Sequence, residues 1–271
     1  MKTKKMLFSL LSLGASLLGF GQDTIRLKPY IENMKTIEVV IEGKRYNFLF
    51  DTGGAETIIS PEIATHFNKK IYGRATGFRM SGEMIKTQKS DGISMTIGST
   101  KIFHPAVGVF DIMSILPKEF PKLDGVISLK TFVDHILTLN LSKNTIIVES
   151  KSSSQKTIRG KSLVASRFAN GLDATELNIF LNIPKDNQSY WFLFDSGNSG
   201  PLLLSTETAA TWKLSKDKDN MNSETQFVIG EKVLISKSFT RDIIYDGVLN
   251  FETLCNYIFT IDFKNSKVWI K

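Results

Sequence analysis

The chain has 271 residues, of which 42% are hydrophobic, and a formal net charge of +7 at pH 7. Residues 1–21 contain three lysines and no acidic residue, so their removal lowers the charge to +4, a mild excess spread along the chain. This pattern excludes a nucleic-acid partner from our predictions. The remaining chain, about 250 residues long, suffices for two small β-rich cores.

The first 21 residues have the features of a secretion signal. Three lysines precede an apolar run from Met6 to Phe20, which ends in a small-x-small cleavage site at 19–21. The run is shorter than a membrane-spanning helix, so we predict cleavage and no stable membrane insertion. Cys255 is the only cysteine. Because it cannot form an internal disulfide, we predict a bacterial exported protein, periplasmic or secreted.

An apolar strand that ends in a carboxylate occurs twice in the chain. Residues 48–53 read Phe-Leu-Phe-Asp-Thr-Gly, and residues 192–197 read Phe-Leu-Phe-Asp-Ser-Gly. Alternating residues before each copy predict two strands, joined by a turn at 42–44 in the first copy and by a loop at 184–189 in the second. Repetition of this kind indicates a duplicated unit.

The segments that follow the two copies are also similar. Ile58–Glu62 and Leu203–Glu207 each predict a short strand, a serine N-cap and a helix. Leu123–Val148 aligns without gaps on Tyr245–Ile270, and each segment begins with Asp-Gly-Val after one leading residue. The duplication therefore extends over most of the chain.

The repeats divide the chain into two homologous lobes, residues 22–150 and 162–271. A serine-rich, basic segment at 151–161 is predicted to link them. From its carboxylate to its Asp-Gly-Val segment, the first lobe takes 73 positions and the second takes 51. The first lobe is therefore predicted to hold about one extra hairpin.

The extra hairpin is predicted around Tyr72–Lys89, where glycines interrupt alternating apolar and polar residues. We interpret it as a mobile flap with Ser81 and Gly82 near its tip. Such a flap would close over an extended peptide and exclude water, with Tyr72, Phe78, Ser81 and Gly82 contacting the substrate. An ordinary surface hairpin is the alternative.

Two carboxylates in one place can move protons. Each aspartate follows an apolar strand, where ionisation of a half-buried carboxyl is costly. If the two loops meet across a pseudo-twofold axis, Asp51 and Asp195 share one site, and repulsion leaves one proton held between them. The ionised member can polarise a water molecule and the protonated member can protonate a carbonyl oxygen. Amide hydrolysis without a covalent intermediate follows.

The small residues of the two loops have predicted roles of their own. Thr52 and Ser196 would each turn a hydroxyl toward the backbone of the opposite loop and lock the pair. Gly53 and Gly197 permit a tight reversal and a close approach by another segment. One Asp-Thr-Gly triplet is a common turn sequence, but two copies after the same Phe-Leu-Phe favour catalysis.

Other catalytic chemistries have little support in the sequence. His66, His104 and His135 lack metal-ligand spacing, a partner cysteine and a nucleophile motif. We therefore expect neither a metal nor an organic cofactor.

These residues resemble the aspartic peptidases, specifically a two-lobed pepsin-like chain whose halves are similar to retropepsin-like proteins of bacteria and retroviruses. The resemblance covers most of Ile37–Lys271. It implies a mainly β, bilobal acid protease fold with short helices, a catalytic dyad of Asp51 and Asp195, endopeptidase activity and a peptide or protein substrate. Because one chain supplies both aspartates, we expect a monomer.

Four positions depart from the pattern of that family. Ser128 and Asn250 stand where the family has glycine after the hydrophobic pair, and Gly54 and Asn198 stand where it tends to have serine or threonine. Loss of the hydroxyl should raise the proton affinity of the dyad and give a working range less acidic than a gastric enzyme's. The departures also leave open a second hypothesis, a catalytically silent peptide-binding envelope protein on the same scaffold.

Overall fold

The computed structural model describes residues 22–215 and 217–271. Two β-rich lobes each contain their own sheet, and a third sheet is shared between them. Within the described ranges, no helix has the length and apolar character needed to cross a membrane. The predicted secretion signal, residues 1–21, lies outside the described residues.

Short strands make up most of the described chain. From residue 22 to residue 150 the strands are β1 (Asp23–Arg26), β2 (Lys28–Pro29), β3 (Lys35–Ile41), β4 (Lys44–Phe50), β5 (Ile58–Ile59), β6 (Ile71–Phe78), β7 (Met84–Ile97), β8 (Thr100–Val109), β9 (Gly125–Ile127), β10 (Ile136–Asn140) and β11 (Thr145–Glu149). From residue 151 they are β12 (Ser162–Val164), β13 (Ser166–Asn170), β14 (Leu177–Lys185), β15 (Gln188–Phe194), β16 (Leu202–Ser205), β17 (Met221–Ile229), β18 (Lys232–Arg241), β19 (Gly247–Leu249), β20 (Phe259–Asp262) and β21 (Lys267–Ile270). The α-helices are α1 (Pro61–His66), α2 (Lys151–Thr157), α3 (Thr206–Thr211) and α4 (Phe251–Leu254), and 3₁₀ turns cover Ile112–Ile115, Leu129–Phe132 and Leu141–Lys143.

The two lobe sheets have the same strand order apart from one strand. The first lobe has the order β2-β3-β4-β9-β5-β8-β7-β6, and the second has the order β13-β14-β15-β19-β16-β18-β17. In both, the strand that leads into the aspartate pairs in parallel with a short strand of the Asp-Gly-Val segment, β4 with β9 and β15 with β19. The predicted bilobal, mainly β fold is confirmed, and β6 is the additional strand of the first lobe.

The shared sheet joins the two cores. Its order is β1-β11-β10-β20-β21-β12, so the lobes meet where β10 pairs antiparallel with β20. Leu137 lies opposite Ile261 and Leu139 lies opposite Phe259, and all four side chains are completely buried. Full burial of each such side chain contributes about 1.5–3 kcal/mol. This continuous core holds the two aspartate loops in a fixed relation.

One predicted loop is instead a tight hairpin. The sequence predicts a loop at 184–189, but β14 and β15 continue through it and turn at Asp186 and Asn187, with φ values of 50° and 61°. Short polar side chains tolerate this left-handed conformation, which two-residue hairpin turns require. Pro184 stays in the strand because β13 pairs with β14 only as far as Leu181, which leaves a local edge where proline is accepted.

Helices α1 and α3 begin after the serines that the sequence predicts as N-caps. Ser60 Oγ accepts a hydrogen bond from the Ile63 N–H at 3.3 Å, and Ser205 Oγ accepts one from the Thr208 N–H at 3.0 Å. Ser60 directly follows β5, which pairs with β9, and Ser205 is the last residue of β16, which pairs with β19. Both lobes therefore fix the strand beside their aspartate loop in the same way.

The segment predicted as a linker at 151–161 contains α2. Ser150 Oγ accepts a hydrogen bond from the Ser153 N–H at 3.0 Å, and Ser153 Oγ accepts one from the Ser150 N–H at 2.9 Å. This reciprocal cap explains why a serine-rich segment begins a helix here.

Candidate active site

The two aspartates lie at the ends of equivalent strands. β4 ends at Phe50 and β15 ends at Phe194, and both phenylalanines are buried in the core. The Asp51 N–H donates to the carbonyl oxygen of Ile127 at the end of β9, at 3.0 Å. The parallel strand therefore fixes the point where the first aspartate leaves the sheet, and β19 occupies the same position in the second lobe.

The carboxyl groups of Asp51 and Asp195 meet at the boundary between the lobes, where both line one cavity and each lies against the glycine of the opposite loop. Each is also held by its own loop. Asp51 Oδ1 accepts from the Gly53 N–H at 2.9 Å, and Asp195 Oδ1 accepts from the Gly197 N–H at 2.8 Å. The structure therefore brings together the two side chains that the sequence predicts as a dyad.

Gly53 and Gly197 allow this close approach. A β-carbon at Gly53 would lie 2.6 Å from Asp195 Oδ1, and one at Gly197 would lie 2.6 Å from Asp51 Oδ1. Either contact is far shorter than atoms tolerate, so a side chain at these positions would displace the opposite carboxyl. Neither glycine has a positive φ. Space, and not backbone conformation, therefore requires glycine here.

Thr52 and Ser196 form reciprocal contacts across the lobe boundary. The Thr52 N–H donates to Ser196 Oγ at 3.2 Å, and the Ser196 N–H donates to Thr52 Oγ1 at 2.8 Å. Thr52 Oγ1 also donates to the carbonyl oxygen of Phe194 at 2.9 Å. Both side chains are buried, and each bond contributes about 1 kcal/mol. These bonds hold the two loops in register with each other.

Comparisons with known proteins agree with this geometry. The model of a family described as aspartyl protease matches residues 37–140, which include the first aspartate loop. Among solved structures, basic 7S globulin from soybean is similar, with a TM-score of 0.59 over 92% of this chain and 96% of that chain.

The chain has the pepsin-like aspartyl protease fold. Because only 8% of residues are identical to the soybean globulin, that likeness concerns the fold alone. No curated protein sequence matches the chain.

Burial raises the pKa of both carboxyls. For Asp51, desolvation raises the pKa, while hydrogen bonds from Asp195 and from nearby backbone N–H groups oppose the shift. For Asp195, desolvation, the charge of Asp51 and the hydrogen bond between the two all act in the same direction, and the pKa lies well above its usual range. Because both pKa values are raised and like charges repel, the pair holds one proton between its two carboxyls.

The residues after the two triplets present no hydroxyl to the dyad. A β-carbon at Gly54 would lie 3.2 Å from Asp51 Oδ2, so a larger side chain would crowd the carboxyl. The Asn198 N–H donates to Asp195 Oδ1 at 3.1 Å, but the Asn198 side chain faces its own loop, where it bonds Pro201 and Gly200.

Ser128 and Asn250 support the loops from behind. Their φ values are −98° and −105°, so the backbone does not need glycine at either position. Ser128 Oγ accepts from the Lys130 N–H at 3.2 Å. Asn250 Oδ1 accepts from the Thr253 N–H at 3.0 Å, and Nδ2 donates to the carbonyl oxygen of Gly200 at 2.8 Å. Both side chains are buried, so these departures from the family pattern keep the packing behind the aspartates intact.

The hairpin of β6 and β7 lies over the dyad as a flap. At its tip the Arg79 N–H donates to the carbonyl oxygen of Glu83 at 2.8 Å, and Gly82 has a φ of +78°, which only glycine adopts easily. The Ile244 N–H of the second lobe donates to the carbonyl oxygen of Met80 at 3.0 Å. The flap tip is therefore bonded to the second lobe, and the cleft is covered.

A cavity of about 540 Å³ lies beneath the flap and contains both aspartates. Of the four flap residues predicted to contact substrate, Phe78 and Ser81 line this cavity. Tyr72 lies at the base of the flap, opposite Lys89, and Gly82 forms the tip, so neither belongs to the lining. Within residues 22–215 and 217–271, no three His, Cys, Asp or Glu side chains converge as metal ligands would.

The sequence did not single out most of the other lining residues. The apolar part of the lining includes Ile58, Ile85, Phe110, Ile112 and Leu193. The charged part includes Glu56, Arg79, Glu83, Glu176 and Arg241. Glu56 and Ile58 closely follow Asp51 in the sequence, so their place in the cavity lining could have been predicted. No local sequence pattern distinguishes Arg241 from other basic residues at strand ends.

Proposed function

We propose that the protein is an aspartic peptidase that hydrolyses peptide bonds with a water molecule activated between Asp51 and Asp195. The observation that supports this most directly is that the two carboxyls converge in one covered cleft, each against the glycine of the opposite loop. The aspartyl protease family match over residues 37–140 and the pepsin-like fold agree with it.

We assign the protonated role to Asp195, the more deeply buried carboxyl, and the ionised role to Asp51. Asp51, ionised, takes a proton from the water, whose oxygen attacks the carbonyl carbon of the substrate, while Asp195 gives its proton to the carbonyl oxygen. The resulting tetrahedral diol collapses when Asp51 passes its proton to the leaving nitrogen and Asp195 takes a proton back from a diol hydroxyl. One water is consumed, and no bond forms between protein and substrate.

The rigidity of the site lowers the cost of this reaction. The glycine N–H groups at 53 and 197 hold each carboxyl in place, and the Thr52–Ser196 contacts prevent the lobes from sliding apart. Groups that are already oriented need little reorganisation when charge moves during the reaction.

The substrate would be a peptide or protein segment that lies extended between the flap and the dyad. Ile58, Phe110 and Leu193 line the cavity, so apolar side chains near the scissile bond would fit it best. We propose that the protein acts as a monomer after export to the periplasm or medium, because one chain supplies both aspartates.

The raised pKa values predict a working range less acidic than a gastric enzyme's. Activity requires one ionised and one protonated carboxyl, so raising both pKa values moves both limbs of the rate profile toward higher pH. A rate profile that peaks only under strongly acid conditions would contradict this.

The test is incubation of the protein from Gln22 onward with a random peptide library over a range of pH. We expect cleavage, and a loss of roughly 10³-fold in kcat for Asp51→Asn and for Asp195→Asn. The matched control is Asp91→Asn, an exposed aspartate on β7, which should retain wild-type rates. Peptide binding without cleavage at any pH would favour the silent peptide-binding protein instead.

A further inference from the structure

The cavity that contains the dyad is lined by Glu56 and Glu176 at a place where three segments meet. These are the flap base at Lys89 on β7, the first aspartate loop at Glu56, and the second-lobe loop 171–176 between β13 and β14. Lys89 Nζ lies 2.5 Å from Glu56 Oε1 and 2.7 Å from Thr175 Oγ1. The Lys89 ammonium group, at the base of the flap, therefore contacts both the first aspartate loop and the second-lobe loop. We call Glu56, Lys89 and the loop 171–176 the cleft wall.

The backbone also joins the two lobes at the cleft wall. The Leu177 N–H donates to the carbonyl oxygen of Ala55 at 2.9 Å, and Glu56 pairs with Glu176 in an isolated antiparallel bridge. Lys89 Nζ lies 3.4 Å from Asp173 Oδ2, which adds a second contact between the lobes.

The cleft wall is tightly packed. Lys89 and Glu56 are each only 7% exposed. Gly108, which pairs with Lys89 in the ladder of β7 and β8, leaves room for the carboxylate, since a β-carbon there would lie 2.8 Å from Glu56 Oε2. A buried, mutually satisfied ion pair stays closed because separation would leave two charges without partners.

Elsewhere the same cavity opens to solvent. Phe78, Ile115 and Ile244 line it, and all three side chains are exposed. A peptide can therefore enter from this side.

We propose that the cleft wall stops an extended substrate, so that the protein cleaves only bonds within a few residues of one end of a peptide. This inference rests on the proposed peptidase function. Glu56 follows Asp51 by five positions, a stretch of chain that spans at most about 17 Å. At most about five extended substrate residues therefore fit between the scissile bond and the cleft wall.

The experiment uses synthetic peptides that share one cleavable sequence and are lengthened on either side from about two to about twelve residues. Cleavage positions and kcat/KM are measured by chromatography with mass spectrometry. We expect lengthening on one side to be tolerated, and lengthening beyond about five residues on the other to lower kcat/KM by about tenfold or more. Equal rates for both series would overturn the proposal.

A loop variant tests whether the cleft wall is responsible. Replacement of 171–176 by an Asn-Gly turn keeps the hairpin of β13 and β14 but removes the second-lobe half of the cleft wall. It should restore cleavage of the long peptides. The control is Asp186→Gly in the next hairpin of the same lobe, which should keep the wild-type length limit. If the loop replacement does not fold, the double variant Asp173→Ala, Thr175→Ala should relieve the limit in part.

A failure of the peptidase function can be told apart from a failure of this inference. If no peptide is cleaved, the proposed function fails, and the same series is tested for binding to the wild-type protein by fluorescence anisotropy. A drop of about tenfold in affinity when one side exceeds about five residues would then support the cleft wall. Affinities that do not depend on which side is lengthened would overturn it.

Discussion

The two aspartate loops have nearly the same sequence but different surroundings. Asp195 is 6% exposed and receives N–H groups from both Gly197 and Asn198, whereas Asp51 is partly exposed. The first loop continues into the cleft wall at Glu56, and the second is braced from behind by Asn250. Duplication therefore supplies two equivalent carboxyls, and unequal packing leaves one of them more exposed than the other.

The two lobes also contribute differently to the flap that covers the site. The first lobe alone has β6, the outer strand of the flap, and the second lobe provides the Ile244 N–H that holds the flap tip. Each lobe thus supplies a part that the other lacks.

Alanine at the two loop glycines should have the largest effect and should break the symmetry between the lobes. Gly53→Ala would press on the buried Asp195, and Gly197→Ala would press on Asp51, so we expect kcat to fall by about 100-fold or more, with Gly53→Ala the more severe. Steady-state kinetics with circular dichroism as a folding check measures this.

Gly200→Ala is the matched control for the glycine variants. It lies in the second loop, and a β-carbon there would come no closer than 3.6 Å to Asn198 Oδ1. Its kcat should stay within a few-fold of the wild type. Near-normal rates for Gly53→Ala would refute the close approach of the two loops.

His104 should make the first lobe the acid-sensitive one. It is buried on β8, and desolvation with the nearby Lys130 charge lowers its pKa from 6.5 to about 4. Above pH 6.5 the His104 ring is neutral in both the folded and the unfolded chain, so it does not affect stability. As the pH falls toward 4, the ring binds a proton in the unfolded chain but not in the folded chain. The free energy of unfolding therefore drops by about 3 kcal/mol.

Urea unfolding at a series of pH values measures the contribution of His104. His104→Leu should remove this part of the pH dependence, whereas His66→Leu, at an exposed position on α1, should not. The second-lobe strand β18 contains no histidine, so the first lobe should lose its structure first at acid pH. An unchanged pH dependence in His104→Leu would exclude this explanation.

The smallest expected effect concerns the two residues that replace the family's glycines. Asn250→Ala removes bonds of 2.8 and 3.0 Å behind the second loop, and should cost about 1–2 kcal/mol of stability. Ser128→Ala removes one bond of 3.2 Å and a longer contact of 3.5 Å to Ala55, and should cost about 0.5–1 kcal/mol. Thermal unfolding of the two variants compares the stability that each side chain contributes. A larger loss of stability for Ser128→Ala would contradict this ranking.

Much of this structure could be predicted because the chain repeats itself. The matching Phe-Leu-Phe-Asp segments and the gapless later repeat predict two lobes with equivalent strands, and the unequal lengths place the extra hairpin near 72–89. The loop predicted at 184–189 is a hairpin instead, because the pairing limits of β13 determine whether Pro184 can stay in a strand. That limit depends on a neighbouring strand and is invisible in the local sequence.

The sequence by itself determined the duplicated scaffold, the pair of aspartates and the small residues beside them, because these follow from local patterns that occur twice. Only the tertiary structure decided that Asp195 is the more deeply buried carboxyl, that Met80 is held by the second lobe, and that Lys89 joins Glu56 to the second-lobe loop. Each of these depends on contacts between segments far apart in the chain. Burial and electrostatic fields arise from such contacts, so they have no counterpart in the order of neighbouring residues.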